Sequence, residues 1–241
     1  MPPGDVGIVL VPGAGLGGWI WDPVVPQLHA PALAVEIPGR VARPADRRTV
    51  TLESAAEAVA ADIRAWEPSR VVLVGHSLGG VFVPEIARRV PDRIGALVYV
   101  AAEVPAEGER ALDLIPRPLR LLLRAMWVVR PGGVRPPPSA IRRALCNDLD
   151  DATTATVVER MEPEAPGVYR GRVTWAGAPD VPRVYVKCLR DRSDMSPTRQ
   201  DEMAKRLQAD RAVTLDTGHL PMLARPEELA AVLEEVVSQV A

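Results

Sequence analysis

The chain has 241 residues, 47% of them apolar and 25% charged, with a formal net charge of −2. That is the profile of a soluble globular protein long enough to bury a large core in one α/β unit. So balanced a charge invites neither nucleic acid nor an anionic membrane, and two cysteines, Cys146 and Cys188, build neither a disulfide framework nor a metal cluster.

The N-terminal stretch carries no basic leader region, and its first apolar run is only strand-length. No run approaches the roughly 20 apolar residues of a membrane span. Neither a signal peptide nor a transmembrane helix is expected, and the expected compartment is the cytoplasm.

Gly7–Val11 reads as a first buried strand, followed by the glycine-rich loop Pro12-Gly13-Ala14-Gly15-Leu16-Gly17-Gly18. The loop spacing is not G-x-G-x-x-G, and no Gly-Lys-Ser/Thr follows, so a nucleotide phosphate site is not indicated. Leu33–Ile37 reads as a second strand stopped by Pro38-Gly39, and Leu52–Trp66 as a helix capped by Thr51, with Ala55, Val59, Ile63 and Trp66 on one face. Arg70–Val74 is a third buried strand, and Val81–Val90 has helical spacing.

Between that strand and that helix lies Gly75-His76-Ser77-Leu78-Gly79-Gly80. A serine flanked by glycines, where a buried strand turns sharply into a helix, is a nucleophile elbow. Chance placement of this chain's glycines and serines would yield only about 0.04 such matches, so the pattern carries information. Beside an elbow serine, the earlier glycine-rich loop reads as an oxyanion loop, with backbone N–H groups offered by Ala14 and Leu78.

Ala96–Val100 is a fourth strand. Strands alternating with helices predict an α/β architecture: a mostly parallel sheet, helices on both faces and right-handed crossovers. The whole of 1–241 reads as a single domain. From about 103 to 180 the alternation lapses into short helices, including the apolar stretch Leu119–Val129, Ser139–Asp148 and Ala152–Met161. This insertion is expected to cap a substrate pocket, with Gly13, Met126 and Trp127 among the pocket residues. The sheet resumes with Arg183–Cys188. A loop over 190–195, a helix from Ser196-Pro197 to about Leu207, a last strand Ala212–Asp216, the loop Thr217–Leu220 and a closing helix Pro226–Val240 complete the chain.

A serine hydroxyl needs a base, and the base needs an orienting carboxylate. Of three histidines, His76 adjoins the serine and points elsewhere, His29 is distant, and His219 follows the last strand, so His219 is the base by elimination. The acid is expected after a strand between Ser77 and His219: Asp191 first, Asp194 as the alternative, with Glu103 and Asp216 weaker. No cofactor or metal is required, and a small-molecule substrate is expected. A homodimer stays open.

At this point the chain resembles the α/β-hydrolase superfamily, within it the small methylesterase and hydroxynitrile lyase branch and its bacterial relatives. The stretches that carry the resemblance are V-P-G-A-G-L-G-G-W at 11–19, V-L-V-G-H-S-L-G-G at 72–80, C-L-R-D-R at 188–192 and D-T-G-H-L-P-M-L at 216–223. It spans nearly the whole chain and is weakest over 103–170. The resemblance implies an α/β-hydrolase fold, Ser77, Asp191 and His219 as a catalytic triad, and Ala14 and Leu78 as oxyanion donors. Pro12 departs from the family's usual histidine. Gly13 and Leu220 stand where the lyases are similar in a threonine and a lysine. The resemblance implies hydrolysis of a carboxylic ester, thioester or lactone of a small, largely apolar molecule. A lyase using the same triad, or a non-catalytic binding protein, are the alternatives.

Overall fold

A computed structural model describes residues 5–241. The first four residues, part of the stretch weighed above as a leader, lie outside the described residues. Six strands, β1 (Val6–Val11), β2 (Ala32–Ala34), β3 (Arg70–His76), β4 (Ile94–Val100), β5 (Arg183–Cys188) and β6 (Arg211–Leu215), form one sheet in the order β2-β1-β3-β4-β5-β6. Every pairing is parallel. β1 and β4 are buried along their whole length, as strands covered on both faces must be.

Side chains alternate between two cores. On one face Val9, Leu73, Leu97 and Tyr99 pack with residues of α1 (Leu52–Ala65) and α2 (Gly79–Ala87). On the other Ile8, Leu10, Val72 and Val98 pack with those of the closing helix. α1 is capped as expected: the Thr51 hydroxyl accepts from Ser54 N, and Ser54 Oγ accepts from Thr51 N.

The structure differs from the sequence expectation in three places. β2 keeps only three residues. Val35 N still donates to Leu10 O (3.1 Å), and the chain then leaves the sheet edge with Val35 and Ile37 buried but unpaired as strand. Burial of alternate side chains, not ladder pairing, produced the strand-like pattern there. α2 ends at Ala87 rather than Val90.

Third, between β4 and β5 run five helices: α3 (Ala111–Leu114), α4 (Arg117–Val129), α5 (Pro138–Leu145), α6 (Asp151–Arg160) and α7 (Pro166–Arg170). α4 forms where expected but does not turn its apolar side inward as a whole: Leu121, Val128 and Val129 are 64%, 83% and 80% exposed. After β5 come α8 (Pro197–Leu207), capped by the Ser196 hydroxyl, then β6, the short α9 (Pro221–Ala224) and α10 (Pro226–Val240).

Candidate active site

The elbow follows from local sterics. Ser77 has φ +52°, in the left-handed region, and its backbone is held by Ser77 N donating to Val100 O and by Ser77 O accepting from Gly80 N and Glu103 N, each at 3.1 Å. A Cβ on Gly79 would lie 2.7 Å from Val11 O, and one on Gly75 2.6 Å from Val83 Cγ2. Only glycine lets α2 start so close to the sheet.

Ser77 Oγ lies 2.9 Å from His219 Nε2, and His219 Nδ1 lies 2.6 Å from Asp191 Oδ2. With Nδ1–H turned to the carboxylate, Nε2 is left to accept the serine proton. Burial works against a charged His219, but the Asp191 charge and hydrogen bond, with a smaller push from Asp194, outweigh it and raise its pKa. Burial likewise opposes an ionised Asp191, and His219 and Ser193 outweigh it, holding that carboxyl below its ordinary value.

The other sequence candidates fall elsewhere. Asp194 is exposed and makes no bond to His219 among the described residues; only its charge reaches the ring. Asp216 is 76% exposed and pairs with Arg190. Glu103 is buried after β4, its Oε2 without a partner, and burial, then the Asp194 charge, push its carboxyl up to about 8. His29 lies on the surface and is tied through its backbone to Glu234. His76 is fully buried, its Nε2 donating to His219 O (2.9 Å); burial, then the neighbouring His219, drop its pKa to about 3, so it stays neutral.

Among the described residues, neither Ala14 N–H nor Leu78 N–H donates to a backbone carbonyl, so both are free for a ligand. Gly13 is buried against the elbow: a Cβ there would lie 2.9 Å from Ser77 Cβ and 3.0 Å from His76 Nδ1. Trp127 does not stand free as a pocket wall. It is buried with Leu112 and Ile115, its ring centroid 5.6 Å from that of Tyr169, and Met126 is half-buried.

Two supports escaped the sequence reading. Gln200 of α8 is fully buried and bonds Cys188, Met195 O (2.6 Å) and Asp191 Oδ2 (3.3 Å), bracing the loop that carries Asp191. A polar residue at helical spacing with the inward Met203 and Leu207 was its only signal. The second lies on the glycine-rich loop at 12–18. Glu164 Oε2 accepts from Gly15 N (3.1 Å) and from Arg40 Nη2 (2.6 Å), Arg40 also donates to Leu16 O, and Glu162 N donates to Gly15 O (2.8 Å). The insertion thus grips both sides of Gly15, on a loop where Pro12 offers no side-chain hydrogen bond. Nothing in the spacing of residues 40 and 164 foretells this pair. Among the described residues no three His, Cys, Asp or Glu side chains gather as a metal site.

The model of a family described as "Alpha/beta hydrolase family" matches residues 8–232. The chain is similar to a carbendazim hydrolyzing esterase of a Nocardioides species, 30% identical over 92% of this chain and 96% of that one. It is 27% identical to an Arabidopsis thaliana protein named methylesterase 13, over 95% of this chain. There the chain spans about half the relative's length, 55%. Among solved structures, an extracellular alpha/beta-hydrolase from a Paenibacillus species superposes with a TM-score of 0.84 at 18% identity, covering 98% of this chain and 99% of that one.

Proposed function

The chain belongs to the alpha/beta hydrolase family, and from that premise we propose that it is a serine esterase acting on a carboxylic ester, thioester or lactone of a small, largely apolar molecule. The observation that carries this reading is the unbroken relay Asp191–His219–Ser77 at 2.6 and 2.9 Å. It ends on a serine beside two uncommitted N–H groups.

In this reading His219 Nε2 takes the proton of Ser77 as its Oγ attacks the carbonyl carbon. Asp191 holds the imidazole tautomer and balances the imidazolium charge. The oxyanion is received by Ala14 N–H and Leu78 N–H, already fixed in direction, so little reorganisation is needed as charge develops. His219 returns the proton to the leaving alcohol or thiol, leaving an acyl ester on Ser77. Water then attacks that ester with His219 again as base. The insertion at 103–180 acts as a cap over this centre, and the cytoplasm is the working compartment. Hydrolysis is favoured over cyanohydrin cleavage by Gly13, which brings no hydroxyl to the serine, and by the buried Leu220, which brings no cation to the base.

The test is Ser77→Ala, assayed on a nitrophenyl ester panel. The expected fall in kcat is roughly 10⁴-fold or more with the fold intact by circular dichroism, together with an acyl adduct on wild-type Ser77 by mass spectrometry. Activity within tenfold of wild type, or turnover of mandelonitrile without an adduct, would overturn it.

A further inference from the structure

Helix α4 is built the wrong way round for a helix that only packs. Of the seven large apolar side chains exposed among the described residues, five sit on it: Leu119, Leu121, Leu122, Val128 and Val129, from 47% to 83% exposed. At 100° per residue these five occupy the solvent side, while Leu123 and the buried Trp127 turn toward the protein. Arg117 and Arg124 fall along one edge of the apolar strip and Arg130 along the other. A contiguous exposed apolar face of this kind marks an interaction surface.

The charge around it is one-sided. Seven arginines lie from Arg117 to Arg143, and no Asp or Glu occurs between Leu114 and Asn147, in a chain whose net charge is −2. Among the described residues only Arg120 of the seven has a carboxylate partner, Asp113 at 3.3 Å. Arg117, Arg124 and Arg130, which flank the apolar strip, are thus left for an anionic surface, whereas Arg135 donates to Val158 O.

We propose that α4 docks the protein onto an anionic lipid bilayer, its leucine and valine face lying among the acyl chains at the headgroup boundary and its flanking arginines on the lipid phosphates. A basic amphipathic helix with an outward aliphatic face is the form of an interfacial membrane anchor. A second copy of this chain fits poorly: a two-fold contact would set these arginines against their own copies with no acid in the segment to meet them. An acidic protein would use the arginines but gives no reason for five exposed aliphatic side chains on one helix. The inward side of the same helix carries Trp127, its ring tilted against that of Tyr169 with centroids 5.6 Å apart. With the insertion read as a cap over the candidate site, docking would bring that cap to the bilayer, where esters of low water solubility collect. That last consequence rests on the esterase reading; the docking does not.

The experiment is co-sedimentation of the full chain with vesicles of phosphatidylcholine alone or with 30% phosphatidylglycerol. We compare wild type, Leu121→Ser/Val129→Ser and Arg117→Glu/Arg124→Glu, with labelling of Ser77 by a soluble fluorophosphonate as the control for folding and for the esterase reading. The expected result is binding to the anionic vesicles that weakens with salt, with at least tenfold loss of partitioning in each double variant and unchanged labelling. No binding of the wild type at low salt would overturn the proposal. So would a dimer in solution that the Leu121→Ser/Val129→Ser variant dissociates. Binding lost only in the arginine variant would overturn it too, since that is the behaviour of a surface for an acidic protein.

Discussion

At Glu103 a carboxyl group is buried with one oxygen unpartnered, and burial followed by the Asp194 charge raises its pKa from 4.5 to about 8. Its folded form therefore holds a proton that the unfolded chain releases near its ordinary value. The contribution of Glu103 to stability is then full below about pH 4.5 and is lost as pH rises toward 8. Glu103→Gln, which cannot ionise, is expected to melt higher than wild type at pH 8, with the gap closing toward pH 5. Equal melting temperatures at both pH values would refute the buried neutral acid. The two aspartates of the acid loop separate in the same residue-by-residue way. Asp191→Asn removes the partner of His219 Nδ1 and is expected to lower kcat by roughly 10⁴. Asp194→Asn touches the base only through its charge. It should cost far less and move the acid limb of kcat/KM to lower pH, because one of the influences raising the His219 pKa is gone. A pH profile of the two variants decides it, and a reversed ranking would move the acid to Asp194.

Among the elements, the glycine-rich loop at 12–18, proposed above to receive the oxyanion, depends on the insertion. Glu164 and Arg40 are 6% and 2% exposed, so their pair is buried, and removing one partner strands the other charge at a cost of about 3–5 kcal/mol. Glu164→Leu is expected to lower both the melting temperature and kcat. The double variant Arg40→Met/Glu164→Leu removes the stranded charge and is expected to recover stability. It leaves Gly15 N without its acceptor, so kcat on a small ester should stay low with KM little changed. Recovery of kcat alongside stability would reduce the pair to a structural role. The elbow is the opposite kind of element. Its geometry is written locally, in Gly75 and Gly79, whose neighbours leave no room for a Cβ, and no distant residue is needed to read it.

Over the whole molecule, the insertion is expected to set substrate range rather than chemistry. Met126→Ala should shift acyl preference across an ester panel while Ser77 still labels with a small probe, and an unchanged preference would leave α4 to packing and surface docking alone. What the sequence determined by itself is whatever rests on short-range pattern: the parallel α/β alternation, since buried strands and amphipathic helices differ in period; the elbow; the caps at Thr51 and Ser196; and the order Ser77, Asp191, His219 along the chain. What only the tertiary structure decided depends on which distant segments meet. Asp191 and Asp194 share one loop, and only the path of that loop, braced by Gln200, brings Asp191 Oδ2 to the ring and leaves Asp194 in solvent. Arg40 and Glu164 are too far apart in sequence for any spacing rule to pair them. The apolar run of α4 signals a helix with an apolar face, but not which way that face turns, because a periodic pattern fixes an angle about the helix axis and not the side on which the protein lies. The arginines were legible from the start, hidden only because a net charge of −2 averages a basic segment with the acidic remainder.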